Sequence, residues 1–354
     1  MPSGRRIRLA VLFGGRSAEH EVSLRSARAV LEHLAPARYE VRLIGITRDG
    51  GWLGAADSEA LLAGKRPAGR GGRPFLPDGT DCVFPVLHGP FGEDGTLQGW
   101  TELCGIPCVG SPCLGSALAM DKGATKRVVR DAGVPVLPWA EADRDQYAAA
   151  PSACLDGLVR AVGLPCFVKP VALGSSVGVG RAEDRGSLDG ALAEAFRYDR
   201  RVLVEPEFPG REIEVAVLED PTADGGLRIS PPGEIRPRGW YDYRAKYEDR
   251  SADLLAPAPD LPAGVAEDLA RHCRTAFAVL RLAGLARIDF FLGAGGRLVL
   301  NEVNTLPGFT SISMYPRLMA LAGIPFAELC DRLVDLALAR AGSEGELQAE
   351  HRPA

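Results

Sequence analysis

Residues 284–313, GLARIDFFLGAGGRLVLNEVNTLPGFTSIS, decide how this chain is read. Two apolar, β-prone runs are interrupted by Arg287, Asp289, Glu302 and Asn304 and separated by Gly295-Gly296. A Gly-Gly dipeptide suits a two-residue hairpin turn, whose central residues need positive φ. Folding about it sets 289 opposite 302 and 287 opposite 304. Because strand side chains alternate between faces, Arg287, Asp289, Glu302 and Asn304 then share one face, and Ile288, Phe290 and Val303 take the other. Burying two carboxylates together without a cation is costly. Hard oxygen donors on adjacent strands suit Mg²⁺ or Mn²⁺, which keep positions open for phosphate oxygens and water. The plainer alternative is a half-exposed hairpin whose polar face meets solvent, with Arg287 pairing Asp289.

The rest of the chain bounds what such a face serves. At 354 residues there is length for two or three domains with well-buried cores. With 41 basic and 46 acidic residues the formal charge is -5, which argues against a nucleic-acid partner and its concentrated basic face. Apolar runs are too short to span a bilayer, so no membrane partner is expected. The opening IRLAVLF, residues 7–13, is too short for a signal-peptide core and reads as a first strand, which makes the chain cytoplasmic. Eight cysteines lie scattered without a C-x-x-C pair, the pattern of reduced thiols. Cys104, Cys108 and Cys113 with His88 match no common zinc spacing.

The first strand ends at Gly14-Gly15, and from Ser17 an amphipathic stretch with Val22, Ala29, Val30 and Leu34 predicts a capped helix. With EVRLIGI (40–46) and CVFPVL (82–87), residues 1–111 read as an open α/β unit with a parallel sheet. Ligand loops of such sheets follow the carboxyl ends of strands, where GGRSAEHE and LHGPFGEDG (87–95) fall. Neither a G-x-G-x-x-G fingerprint after the first strand nor a Walker motif is present. Residues 112–208 read as a central unit: a helix over 121–131, strand CFVKP, the glycine-rich VALGSSVGVG, a helix near 187–198 and strand RVLVEPEF. Residues 209–354 hold strand EIEVAVL, the polar, aromatic loop GWYDYRAKYEDRS, a helix over about 262–283, the opening hairpin, further helices to about 340 and a polar tail.

Three further features bear on chemistry. In LGSSVGVG few side chains obstruct the backbone N–H groups, and Ser175 and Ser176 add hydroxyls, as a mobile flap over a triphosphate requires; a simple linker is the alternative. Lys169 ends an apolar strand just before the flap and is placed to meet an anion, unless it merely snorkels to solvent. Glu205 and Glu212 flank PEFPGR where the last two units join, suited to an adenine amino group or ribose hydroxyls; two surface acids are the alternative.

Taken together, VKPVALGSSVGVG, VLVEPEFPGREIEV, ARIDFF and LNEVNTLPGFTSIS resemble the ATP-grasp superfamily. FGGRSAEHEVSLRSA, LHGPFGEDGTLQG, AMDKGATKR and YDYRAKY resemble, within it, the D-alanine:D-alanine ligases, over about residues 7–340. The resemblance implies a three-domain architecture, an open α/β N-terminal domain plus two α+β domains clasping ATP. It also implies ATP-dependent joining of two D-alanines for peptidoglycan synthesis, two Mg²⁺ ions (or Mn²⁺) and a homodimer. Residue by residue, it makes Lys122 and Lys169 nucleotide-phosphate lysines, Glu205 the adenine contact, Glu212 the ribose contact and Lys246 the γ-phosphate lysine. Asp289, Glu302 and Asn304 become ligands of the two ions, with Glu302 shared. Glu19 holds the first substrate's ammonium and His88 lines that pocket. Ser175 and Tyr247 join Glu19 across the closed site. Arg287 and the backbone at Gly308 stabilise the tetrahedral intermediate, and Ser313 binds the second substrate's carboxylate.

Relatives that make D-alanyl-D-lactate often lack the Lys-Tyr pair seen here as Lys246-Tyr247, and those using D-serine tend to carry arginine at the place of Met314. Both features favour D-alanine as acceptor. Other stretches of the chain resemble the lactate- and serine-using branches, so those acceptors stay open.

Overall fold

The computed structural model describes residues 5–237 and 252–345. The first unit runs β1 (Ile7–Gly14), α1 (His20–His33), β2 (Tyr39–Ile46), α2 (Ala55–Leu62), β3 (Cys82–Val86) and α3 (Thr96–Leu103). The strands form a parallel sheet of order β2-β1-β3. A central parallel strand is covered on both faces, which is why β1, past Arg8 near its start, is apolar and fully buried from Leu9 to Phe13. The first helix begins at His20, three residues after Ser17, because the Ser17 hydroxyl accepts the Glu19 N–H at 3.2 Å in a local turn instead of capping the helix. That displacement puts Glu19 at the helix entrance, above the carboxyl end of β1.

Two helices follow, α4 (Cys113–Met120) and α5 (Lys122–Asp131), the second capped by Asp121, which accepts the Ala124 N–H at 2.9 Å. The central unit is β4 (Ala140–Asp143), α6 (Arg144–Ala149), α7 (Pro151–Val162), β5 (Cys166–Pro170), β6 (Gly180–Ala182), α8 (Arg185–Ala195) and β7 (Arg201–Pro206), with an antiparallel sheet of order β4-β7-β5-β6. Its core is built from Val168, Leu188, Leu192, Val202 and Val204. Ala119, Val129 and Val134, which the sequence groups with this unit, instead share a core with Ile213, Leu280, Ile288 and Leu300. The central unit's own core therefore starts near Ala140.

The last unit comprises β8 (Arg211–Glu219), β9 (Leu227–Ile229), β10 (Gly233–Pro237), β11 (Ala252–Leu255), α9 (Val265–Val279), β12 (Leu285–Leu292), β13 (Leu298–Asn304), α10 (Met314–Leu321) and α11 (Phe326–Gly345). The sheet runs β11-β10-β8-β12-β13, with β9 on β8. Helix α9 is shorter than the stretch read from sequence, starting three residues beyond Pro262. Helix α11 packs back on the first unit: Leu329 and Val334 share a core with Phe84 and Val109, and Tyr39 donates to Asp331 at 2.5 Å. The N-terminal sheet and the C-terminal hairpin are thereby held in one frame.

The hairpin differs from the expected one at its tip and agrees at its working end. Instead of a two-residue turn, a three-residue loop, Ala294–Gly296, is closed by the Gly293 N–H on the Arg297 carbonyl at 2.8 Å, with Gly295 and Gly296 at φ 68° and 80°. Strand pairs nearest the tip, Leu292 with Leu298 and Phe290 with Leu300, are consequently one residue out of the expected register. A β-bulge between Asp289 and Phe290 then absorbs Asn301 as an extra residue and restores Asp289 opposite Glu302 and Arg287 opposite Asn304. Bulges re-aim side chains next to functional sites, and this one turns both Asn301 and Glu302 partly toward the interior of the cleft.

Candidate active site

The hairpin face is assembled as its alternation demands. Arg287 donates from Nε and Nη2 to the two oxygens of Asp289, each at 2.8 Å, and Asn304 Nδ2 donates to Asp289 Oδ2 at 3.0 Å. Asp289 is fully buried. Arg287 is nearly so, whereas Glu302 and Asn304 are partly exposed, so the Arg287–Asp289 pair of the plainer alternative is present but lies in the interior rather than in solvent. On the other edge of β12, Glu214 of β8 lies opposite Asp289 and pairs with Arg287 Nε at 3.2 Å. Burial disfavours the Arg287 charge, but Asp289 and Glu214 outweigh it and hold the guanidinium well above its usual value. Arg287 is thus permanently charged and fixed in direction by two carboxylates.

Next to it sits a lysine cluster. Lys169, at the end of β5, donates to a Glu205 oxygen on neighbouring β7 and to Asn301 Oδ1 at 3.1 Å. Its ammonium is opposed by burial and supported by Glu205, Glu302 and Glu212, which hold its pKa above the ordinary lysine value. Lys122, first residue of α5, donates to the Leu173 carbonyl at 2.5 Å and lies 3.5 Å from Glu302 Oε2. A third lysine, Lys126, one turn farther along α5, meets the other Glu205 oxygen at 2.9 Å. Burial would raise the Glu205 carboxyl, yet Lys169 and Lys126 bring it down to about 2. Glu212, half-buried on β8, faces this cluster from across the junction.

Above the hairpin lies the glycine-rich segment between β5 and β6. Ser175 and Ser176 both sit at φ 55° and Gly178 at φ 70°. Left-handed backbone in non-glycine residues costs about 1–2 kcal/mol each and marks segments held by function. Ser175 Oγ donates to Glu19 Oε1, across 156 positions of chain. A methyl group added at Gly89 would stand 3.1 Å from Glu19 Oε2, so that glycine clears room for the carboxylate, while one at Gly174 would meet it at ordinary contact distance. Lys122, Leu173, Gly174, Glu302, Asn304 and Glu93 enclose a cavity of only about 10 Å³, the space of a single water. The segment is shut over the hairpin.

His88 is buried, with Nδ1 2.8 Å from the Leu306 carbonyl and Nε2 3.1 Å from Ser26 Oγ. The carbonyl only accepts, so Nδ1 carries the proton and Nε2 receives the Ser26 hydroxyl. Burial lowers the His88 pKa, in keeping with a neutral ring. Glu93 accepts the Gly89 N–H at 2.8 Å and the Leu306 N–H at 3.2 Å, and burial together with nearby Glu19 raises its pKa to about 8. These two side chains fasten the first unit to the strand exit 305–313. In that exit, a methyl group at Gly308 would come 3.2 Å from Ser313 Oγ, while Ser313 Oγ bonds Thr310 Oγ1 at 2.7 Å and accepts its N–H at 3.1 Å. Met314 lies in the core against Gly233 rather than on an open wall. Ser176 is half-buried on the flap. Lys246 and Tyr247 fall outside the described residues.

Lys122, Glu302 and Asn304 line the small cavity, and Glu19–Ser175, Lys169–Glu205 and Arg287–Asp289 stand as contact pairs contributed by three separate units. The description "D-ala D-ala ligase N-terminus" matches residues 8–111, and "D-ala D-ala ligase C-terminus" matches residues 128–335. The chain belongs to the D-alanine–D-alanine ligase family. It is 44% identical to a D-alanine–D-alanine ligase A of Mesorhizobium japonicum, over 94% of this chain and 98% of that protein. It is 48% identical to a D-alanine–D-alanine ligase of Methylobacterium sp. (strain 4-46), over 94% and 91%. Among solved structures, the D-alanine–D-alanine ligase of Coxiella burnetii superposes with a TM-score of 0.80 at 35% identity, covering 96% of each chain. The VanG D-Ala:D-Ser ligase of Enterococcus faecalis gives 0.80 at 36% identity, covering 94% of this chain and all of that one.

Four side chains of this family member were not singled out by sequence: Glu214, Lys126, Asn301 and Glu93. Glu214 carries a usable signal, since it follows Glu212 by two and so shares its strand face. Asn301 carries none, because the bulge that aims it depends on the turn geometry. Among the described residues no three His, Cys, Asp or Glu side chains converge as a metal site. Asp289 and Glu302 with the Asn304 amide oxygen form a smaller set, which fits an ion that takes one or two carboxylates and completes its shell with phosphate and water. No helix among the described residues is long and apolar enough to cross a membrane.

Proposed function

We propose that this chain joins two D-alanine molecules to D-alanyl-D-alanine at the expense of ATP, as part of peptidoglycan precursor synthesis. The observation that carries the reading is the Ser175–Glu19 contact, which brings the phosphate flap onto the carboxylate suited to a substrate ammonium. Glu19 anchors the first D-alanine, and His88 lines its pocket as a neutral donor–acceptor. Lys122, Lys169 and Lys246 take the phosphates, Ser176 and the flap amides cover them, Glu205 receives the adenine amino group and Glu212 the ribose. Asp289, Glu302 and Asn304 would hold two Mg²⁺ ions, or Mn²⁺, which supply charge neutralisation for the transferring phosphoryl group.

The carboxylate oxygen of the first D-alanine attacks the γ-phosphorus while the bond to the bridging oxygen of ADP breaks, giving an acyl phosphate. The second D-alanine, seated by Ser313 with Tyr247 closing the acceptor side and Met314 packed behind, gives an ammonium proton to an oxygen of the acyl phosphate and attacks the carbonyl carbon. Arg287 and the Gly308 amide meet the oxyanion, and the carbon–oxygen bond to phosphate then breaks to release it. Acyl phosphates hydrolyse, so a chamber with room for one water serves the chemistry, and nucleotide entry requires the flap to open. The working assembly is a homodimer. Phosphate release with ATP and D-alanine alone, compared with D-alanine plus D-lactate or D-serine, tests the assignment. Release with D-alanine alone is expected; release only with another acceptor would overturn it.

A further inference from the structure

Lys126 is enclosed in the protein and cannot reach the chamber: its side chain is 2% exposed, as is that of Glu205. A buried lysine is expensive to retain, and burial indeed depresses its pKa, with Lys169 and Lys122 adding repulsion to the attraction of Glu205. The ammonium also stands over the Trp139 ring, 6.0 Å from its centroid, a cation–π contact at the limit of its range that offsets only a small part of that cost. The arrangement around Glu205 gives the reason for the charge. One carboxylate holds two ammonium groups, one on each oxygen. Of the two, Lys169 keeps 13% of its side chain exposed and also reaches Asn301 of the bulge at 3.1 Å.

Lys169 must turn from Glu205 toward phosphate when a nucleotide binds. With Lys169 as its sole counter-ion, Glu205 would then be left as an uncompensated buried carboxylate, an arrangement strongly disfavoured in a low-dielectric interior. We infer that Lys126 is a positioning residue for the nucleotide: it stays on Glu205 as a fixed counter-ion and so releases Lys169 to the ligand's phosphates. This rests on the nucleotide reading of the site given above. It predicts that Lys126 acts on ATP only through the Glu205 charge.

Binding of a non-hydrolysable MgATP analogue without D-alanine, followed by calorimetry, tests this together with steady-state kinetics. Lys126→Met is expected to weaken analogue binding and raise the KM for ATP by roughly 10- to 100-fold, with kcat at saturating ATP within about 3-fold of wild type. Adding Glu205→Gln, which removes the charge but keeps an oxygen for the adenine amino group, should restore affinity to within about 3-fold of the Glu205→Gln single variant. Loss of affinity that Glu205→Gln does not restore, or unchanged binding by a folded Lys126→Met, overturns the inference. Should Lys126→Met not fold, the double variant still decides: a further loss beyond about 10-fold relative to Glu205→Gln alone also overturns it. Failure of the wild-type protein to bind the analogue would instead sink the nucleotide reading.

Discussion

The hairpin β12–β13 and the flap between β5 and β6 face each other across the chamber and are built on opposite principles. The hairpin is rooted: Ile288, Phe290, Leu300 and Val303 are buried in the core beneath it, and its polar side is cross-braced by Arg287, Asp289, Asn304 and Glu214. The flap has left-handed backbone at Ser175, Ser176 and Gly178, and two of its side-chain anchors, the Ser175–Glu19 and Lys122–Leu173 contacts, are single hydrogen bonds. One side of the site is thus rigid where charge must be met without reorganisation. The other closes through hydrogen bonds to Glu19 and Lys122, which opening of the flap would break.

Breaking the rigid side should have the largest consequence. Glu302→Gln keeps size and half the acceptor capacity but removes the charge facing Lys122, and kcat is expected to fall by roughly 10³-fold or more with thermal stability little changed. Near-normal kcat in saturating Mg²⁺ would show that the hairpin face does not hold the ions. Ser175→Ala on the flap should cost less, about 10- to 100-fold in kcat. Its effect on nucleotide affinity should be small, which single-turnover and binding measurements separate; a pure loss of ATP affinity would contradict the latch. Smallest is Ser176→Gly, which relieves a left-handed serine: stability should rise by about 1 kcal/mol by chemical denaturation, with kcat within a few-fold of wild type. A destabilised Ser176→Gly protein would mean that the left-handed backbone there is not strained.

The same contrast separates what was legible. Faces of the hairpin follow from alternation, so Arg287, Asp289, Glu302 and Asn304 could be grouped from spacing alone, although the turn differs from the one expected and Asn301 makes good the difference. Glycine and serine content marked the flap, but not that Ser175 reaches Glu19. Lys126 was unreadable as more than a helix residue, because its partner lies on β7, about eighty positions away. Met314 shows the reverse case: the resemblance puts it on the acceptor side, whereas packing sends its side chain into the core against Gly233.

The sequence by itself determined which residues alternate, where the chain needs positive φ, and which carboxylates, lysines and amides are available, since these depend on local backbone period and side-chain chemistry. Only the tertiary structure decided which of them share a charge. Ion pairing in a buried site depends on distances between strands and helices far apart in the chain, and those are set by how the cores of the three units pack.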